Sequence, residues 1–278
     1  MKYFPKDRLS ELNIHYDNYT LDYFLDAMAE LEISNVELLA GHQGVWADAG
    51  GFTEPKALLQ KLRERELRCP IITPENCCYA YEIDVKEPLL REKTYAYFAN
   101  VMRLGKELGA GFMEVNAGRG YWNESPEEAR KRAADMLYRL SELAETLDMT
   151  LVCESLRPQE TIFAWTLPQM KLLYDMVDHP RFKMMIDTTA MCVAGETIDQ
   201  WFDVFGRENI LHTHFQDCDP YGHRIWGEGT QDLNGFLKAL YDNGYQGLLS
   251  QELTVRDYYK DPMSYDRRNV ANLRQYLY

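Results

Sequence analysis

The fold is decided by short apolar runs such as Lys183-Met184-Met185-Ile186-Asp187, in which apolar residues lead directly into one carboxylate. Runs of this kind are typical of strands that are covered on both faces, as in a parallel sheet. Eight such runs recur along the chain, and we predict them as strands: residues 12–16, 35–40, 68–73, 111–116, 150–154, 183–187, 210–215 and 247–252.

Amphipathic segments with a helical period follow these runs. They predict eight helices: residues 21–31, 54–66, 87–108, 126–147, 168–177, 198–205, 233–242 and 265–276. Alternating strands and helices favour βαβ units and a parallel sheet. The sequence has no glycine-rich dinucleotide-binding turn after the first strand, so we predict a closed barrel rather than an open sheet. The expected fold is α/β, a (β/α)8 TIM barrel that forms a single domain over residues 1–278.

The composition disfavours several classes of protein. The 278 residues are 46% hydrophobic, which is ample for a large core, and they carry a formal net charge of −14. This charge disfavours nucleic-acid binding, because phosphate contacts need Lys and Arg. No apolar run approaches the roughly 20 residues that span a bilayer, and the first residues lack an apolar signal-peptide core. We therefore expect a cytoplasmic protein that binds neither nucleic acid nor a membrane.

Four successive predicted strands finish with side chains that can bind a metal ion: Glu154, Asp187, His214 and Glu252. Active sites of closed barrels collect at the C-terminal ends of the strands, so these side chains should meet. Any one acid alone would more often be a strand-end residue paired with a lysine. Three carboxylates at one mouth would repel each other without a cation, which favours a site for Mn²⁺, Co²⁺, Mg²⁺ or Zn²⁺. His212 shares a strand face with His214, and we expect it in the barrel interior or behind the ligands.

Five segments carry a resemblance to a known family. They read PIITPEN at residues 70–76, ESLRPQE at 154–160, LHTHFQD at 211–217, GEG at 227–229 and QEL at 251–253. In their order and spacing the sequence resembles the xylose isomerase-like superfamily of sugar isomerases and epimerases. Within that superfamily it looks most like the 3-epimerases of ketoses and fructoselysine.

The resemblance implies one divalent ion, with Mn²⁺ favoured, bound by Glu154, Asp187, His214 and Glu252. It implies that Glu154 and Glu252 are also the catalytic acid–base pair, and that Glu160 contacts the substrate. Two positions depart from the ketohexose epimerases: Ala190 and Pro220 stand where a sugar-binding histidine and arginine are expected. These departures favour a substituted, fructosamine-like ketose over a free ketohexose.

This set of groups suits proton transfer on a sugar. A proton on the carbon beside a carbonyl is too weakly acidic for an unaided carboxylate, whereas a metal stabilises the enediolate that forms. One carboxylate can remove the proton from one face while the other delivers a proton to the opposite face. Inversion at that carbon is epimerisation. Further mouth residues are candidates for substrate contacts: Asn116, Arg119, Trp122, His42, Trp46, His223 and Arg224.

Other functions remain open at this stage. An aldose–ketose isomerase, or the large subunit of a C-glycoside-cleaving lyase with a small partner subunit, would use the same metal and acid–base pair. A multi-zinc nuclease needs more histidines than the mouth offers. An inactive sugar-binding or scaffold barrel would not need two acid–base groups. We expect a small-molecule sugar as the substrate and allow for a homo-oligomer.

Overall fold

Eight parallel strands close into a barrel. The computed structural model describes residues 1–41, 44–76, 81–219 and 222–278. The barrel strands of this part of the chain are β1 Leu9–Leu12, β2 Asn35–Ala40, β3 Arg68–Pro74, β4 Phe112–Val115, β5 Thr150–Cys153, β6 Phe182–Asp187, β7 Ile210–His214 and β8 Leu249–Gln251. Each strand pairs with its neighbours in chain order, and β8 closes the ring on β1. The predicted (β/α)8 barrel is confirmed, and its extent as one domain over residues 1–278 stays a prediction.

Helices cover the outside of the barrel. They are α1 Leu21–Glu30, α2 Pro55–Glu64, α3 Pro88–Leu108, α4 Pro126–Thr146, α5 Leu167–Val177, α6 Thr188–Val193, α7 Ile198–Phe205, α8 Leu233–Asp242 and α9 Pro262–Arg274. Local sequence explains several ends: Ser125 caps α4 before a proline, and α3 stops at Gly109, whose φ of +90° suits glycine. None of the helices in the described ranges is long and apolar enough to cross a membrane.

The structure differs from the prediction in the first strand, in one further helix and in two hairpins. The first strand is β1, whereas most of the predicted strand at residues 12–16 forms a 3-10 helix, Asn13–Tyr16. The short helix α6 was not predicted; it begins directly after β6 because the Asp187 side chain accepts a hydrogen bond from the backbone of Ala190. Two short hairpins also lie in the loops at the mouth, Ala47–Asp48 with Gly51–Phe52 and Asp217–Asp219 with Gly222–Arg224.

The barrel interior is apolar at one end and polar at the other. Ile71, Val152 and Met185 form a small apolar cluster inside the barrel. Side chains alternate along a strand, so the residues two positions further on also point inward, nearer the C-terminal end. On β6 this places Asp187 after Met185, and after β5 it places Glu154 after Val152. The apolar cluster therefore underlies the polar mouth.

Candidate metal centre and active site

The four predicted ligands meet at the mouth of the barrel. Their ligand atoms all lie within 4.8 Å of one another. Asp187 and His214 are paired across β6 and β7, and Glu154 and Glu252 each follow the last residue of a strand. Asp187 and His214 are each 1% exposed, and Glu154 is 8% exposed. The sequence prediction that these four side chains converge therefore agrees with the observed geometry.

His214 lies between the two glutamates. Its Nδ1 atom is 2.6 Å from Oε1 of Glu154 and 3.4 Å from Oε2 of Glu252. Asp187 and Glu252 are also held from the side. Nε2 of Gln216 donates to Oδ2 of Asp187 at 2.6 Å, and Nδ1 of His223 lies 2.8 Å from Oε2 of Glu252. Each carboxylate thus has a defined orientation toward the shared centre.

Glu154 and Glu252 differ in their tendency to hold a proton. Burial raises the pKa of Glu154 to about 7, reinforced by the charges of Glu252 and Asp187 and opposed by His214. Burial acts in the same direction on Glu252, but the charges of His223 and His214 outweigh it and hold the pKa of Glu252 well below its usual range. Near neutral pH one carboxylate is therefore ready to give a proton while the other is ready to take one.

The donor set fits a divalent cation. Three carboxylates face the imidazoles of His214 and His223 at this centre. Burial alone would lower the pKa of both histidines, but the surrounding carboxylates raise the pKa of His223 to about 9 and that of His214 well above its usual value. The cluster therefore attracts positive charge strongly, and a cation can replace the proton on Nδ1 of His214. Oxygen ligands with one imidazole suit Mn²⁺, Co²⁺, Mg²⁺ or Zn²⁺.

A cavity of about 180 Å³ opens above this centre. It is smaller than the roughly 300 Å³ at which pockets for drug-sized ligands begin, so it suits a small ligand. Its lining combines the four predicted ligands with further polar and apolar side chains: Leu12, Ile14, Leu39, Thr73, Pro74, Glu75, Asn76, Glu114, Ser155, Leu156, Arg157, Glu160, Ala190, His223 and Thr254.

Two of the predicted substrate contacts line this cavity. Glu160 accepts hydrogen bonds from Arg157, at 2.8 Å from its backbone nitrogen and at 2.9 Å from Nε. His223 is 7% exposed and contacts Glu252 as described. Ala190, one of the two departures from the ketohexose epimerases, also faces the cavity. Pro220, the other, lies outside the described residues.

The remaining candidates lie away from the cavity. Asn116 is buried and hydrogen-bonded to Asn76. Trp122 is 79% exposed, and Arg224 pairs with Asp219 at 2.5 Å. The other mouth candidates are dispersed as well: Arg119 pairs with Glu82, Trp46 is exposed, and His42 lies outside the described residues.

Sequence reasoning missed several polar residues of the interior. Glu114, on β4, is buried beside the centre, and burial followed by the charge of Glu154 raises its pKa. Glu37, on β2, contacts both His212 and His214 from below. Glu114 and Glu37 each sit within an apolar run, where a single carboxylate could have been recognised as an inward-facing charge. His212 lies in the interior, as expected.

Comparisons with known proteins agree with this architecture. The model of the xylose isomerase-like TIM barrel family matches residues 25–276. Fructoselysine 3-epimerase from Escherichia coli O157:H7 is 30% identical over 261 residues, which cover 91% of this chain and 92% of that protein. The chain therefore belongs to the xylose isomerase-like TIM barrel family.

Solved structures share the fold at low sequence identity. D-allulose 3-epimerase from Methylomonas sp. superimposes with a TM-score of 0.81 at 15% identity, covering 100% of both chains. The 3-keto-D-glucoside 4-epimerase of E. coli superimposes with a TM-score of 0.77 at 18% identity, covering 97% of this chain and 100% of that chain. At this identity the likeness concerns the fold alone.

Proposed function

We propose that this protein is a divalent-metal-dependent sugar epimerase of the 3-epimerase type, acting on a ketose or a substituted, fructosamine-like ketose by proton transfer through an enediolate. The observation that carries the proposal is the pair Glu154 and Glu252, which flank His214 in one cavity and whose pKa values are displaced in opposite directions. The similarity to fructoselysine 3-epimerase over most of the chain supports the same reaction class.

Glu154, Asp187, His214 and Glu252 would hold the ion, which we propose to be Mn²⁺. When bound, a divalent ion supplies stabilisation of the negative charge that develops on the enediolate oxygens. Gln216 keeps Asp187 turned toward the centre through its 2.6 Å hydrogen bond, and the backbone amide of Ala190 does the same from α6. The chain thus provides both the ligands and the groups that orient them.

The two glutamates would act in turn on the substrate. Glu252 is ionised at neutral pH and accepts the proton from the carbon beside the carbonyl. Glu154, in its protonated form, would deliver a proton to the same carbon from the other side. They come from strands β5 and β8, three positions apart around the barrel. For the reverse reaction the two glutamates exchange roles.

The charge of the cavity favours a substrate with a cationic substituent. Among the described residues that line it, six are carboxylates: Glu75, Glu114, Glu154, Glu160, Asp187 and Glu252. Arg157, His214 and His223 also line the cavity, so its acidic side chains outnumber its basic ones two to one. An amino-substituted ketose fits this field better than a sugar phosphate does. Ala190 lines the cavity with a small side chain where the ketohexose epimerases are expected to have a histidine. The space that a histidine would fill can therefore hold the substituent, which would extend toward the mouth.

The test is solvent proton exchange with a defined panel. The protein is stripped of metal, reloaded with Mn²⁺ and incubated in D₂O with fructose, psicose and the corresponding fructosamines. We expect deuterium at carbon 3, faster with the fructosamines than with the free ketohexoses, and no exchange in protein kept with EDTA. Preferred exchange of the free ketohexoses would refute the substrate class. Loss of an aglycone in place of exchange would refute epimerisation in favour of the lyase.

A further inference from the structure

Glu37 is a charged residue deep inside the barrel. It lies on β2 and is 0% exposed, below the mouth and next to the two histidines of β7. Two imidazoles and two hydroxyls surround its carboxylate. An ionised carboxylate at such a depth is costly unless its neighbours satisfy it.

Four donors satisfy both oxygens of Glu37. Oε1 accepts from Nε2 of His214 at 3.2 Å and from the hydroxyl of Thr73. Oε2 accepts from Nε2 of His212 at 3.0 Å and from the hydroxyl of Ser250 at 2.6 Å. A carboxylate offers about four lone-pair sites, so Glu37 is saturated. Glu37 lies close enough to His212 and His214 to bind an ion together with them. Its oxygens already accept four hydrogen bonds, so they are not available as metal ligands.

This contact determines which nitrogen of His214 faces the mouth. A carboxylate only accepts hydrogen bonds, so Nε2 of His214 must carry the proton on the side of Glu37. Nδ1 then points at Glu154 and Glu252, where it can act as a ligand once its own proton has left. If the ring turned over, Oε1 of Glu37 would lose one of its two hydrogen-bond donors in the barrel interior.

We propose that Glu37 is a positioning residue of the metal centre, which holds His214 with Nε2 protonated and Nδ1 directed at the ion. The proposal rests on the proposed metal-dependent function. It adds a residue from β2, three positions from β7 around the barrel, that would touch neither the ion nor the substrate. Outer partners of this kind typically change metal affinity by about 10- to 100-fold when they are replaced.

The test compares two buried glutamates that undergo the same substitution. Glu37→Gln removes the charge that accepts from His214. Glu11→Gln is the matched control, because Glu11 is also 0% exposed on a barrel strand but lies beside His15 and Asp266, outside the metal centre. Mn²⁺ affinity of each apoprotein is measured by competition with a chromophoric chelator, and folding is checked by circular dichroism. We expect the dissociation constant to rise about 10- to 100-fold for E37Q and to stay within about twofold for E11Q.

A second readout reports the ring itself. In the Zn²⁺-loaded wild type, long-range ¹H–¹⁵N spectra should show His214 protonated at Nε2 and metal-bound at Nδ1, and E37Q should lose this uniform state. If E37Q does not fold, Glu37→Asp keeps the charge but withdraws it from the ring, and should also weaken binding. Wild-type affinity in a folded Glu37 variant would overturn the positioning role alone. Absence of tight Mn²⁺ binding by the wild type would overturn the metal centre and this role with it.

Discussion

Nδ1 of His223 lies 2.8 Å from Oε2 of Glu252, so the hairpin Asp217–Asp219 with Gly222–Arg224 places a positive charge directly on the proposed base. Burial would by itself raise the pKa of Glu252, and the charges of His223 and His214 outweigh that effect. A loop residue that follows β7 thus acts on a side chain that follows β8. The consequence is a base that stays ionised well into the acidic range.

Replacing His223 should therefore change the pH profile. In His223→Gln the pKa of Glu252 rises, because one of the two charges that lower it is gone. The acidic limb of kcat/KM for proton exchange should move to higher pH, while the fold is kept. His179→Gln is the control, since His179 lies in the loop between α5 and β6 at the other end of the barrel. A His223→Gln profile that coincides with the wild type would argue against this role.

Asp187→Asn should weaken metal binding and leave the fold intact. The side-chain oxygen of the new asparagine can still accept a hydrogen bond from the backbone nitrogen of Ala190, which keeps the start of α6 in place. The loss of a ligand charge should cost more than the roughly 10- to 100-fold typical of an outer partner. Metal content after gel filtration and the unfolding temperature in EDTA are the two measurements. Full metal occupancy and full activity in this variant would remove Asp187 from the ligand set.

The two glutamates should differ in which epimer they serve. Glu154→Gln and Glu252→Gln should each reduce inversion by about 10²- to 10⁴-fold. Each variant should still exchange a proton in D₂O with the epimer that its remaining carboxylate faces, so the two should prefer opposite epimers. Glu142→Gln, at an exposed position of α4, serves as a control that keeps both carboxylates. Metal occupancy must be measured beside exchange, because both residues are also proposed ligands. Identical exchange behaviour of the two metal-loaded variants would indicate a single shared base.

Metal affinity should rise with pH. The surrounding carboxylates outweigh burial and raise the pKa of His214 well above its usual value. In the metal-free protein at neutral pH, both ring nitrogens of His214 therefore carry a proton. Binding at Nδ1 must release that proton, and fewer protons compete as the pH increases. Calorimetric titration with Mn²⁺ at pH 6 and pH 8, in buffers of different ionisation enthalpy, measures both effects. Binding without proton release at pH 6 would contradict the use of Nδ1 as a ligand.

Glu11→Gln should stabilise the protein at alkaline pH. Burial, followed by the charges of Asp266 and Glu37, raises the pKa of Glu11, and both of its oxygens lack a hydrogen-bond partner among the described residues. A raised folded-state pKa means that stability is fully present below the unfolded pKa and is lost as the pH rises through the folded value. Glutamine resembles the neutral acid and removes this loss.

Urea unfolding at pH 4, 6 and 8 measures the effect of that change. We expect E11Q to exceed the wild type in free energy of unfolding by about 1–3 kcal/mol at pH 8, with a difference that shrinks toward pH 4. Glu142→Gln on the exposed side of α4 should show no such trend. A constant difference at all three pH values would mean that Glu11 has the same pKa in the folded and unfolded chain.

Most element positions were predictable because their signals are local. The limits of β2, α7 and α8 agree with the predicted ranges. β1 was misplaced because Ser10 and Glu11, both fully buried, interrupt the apolar run that a buried strand normally shows. Only the fold shows that these two residues lie in a strand, since β1 pairs with β2 on one side and with β8, from the far end of the chain, on the other.

The sequence by itself determined the barrel and its four proposed ligands. The alternation of strands and helices, and the residue at which each strand ends, can be read from short stretches of sequence. Together they place Glu154, Asp187, His214 and Glu252 at the C-terminal end of the barrel. The tertiary structure alone decided what surrounds them. His214 meets Glu37 across a separation of 177 residues, and the exposure of Trp122 depends on how a whole loop packs. Contacts between distant residues follow from closure of the barrel, and no local pattern encodes the side-chain orientations and charges that closure brings together.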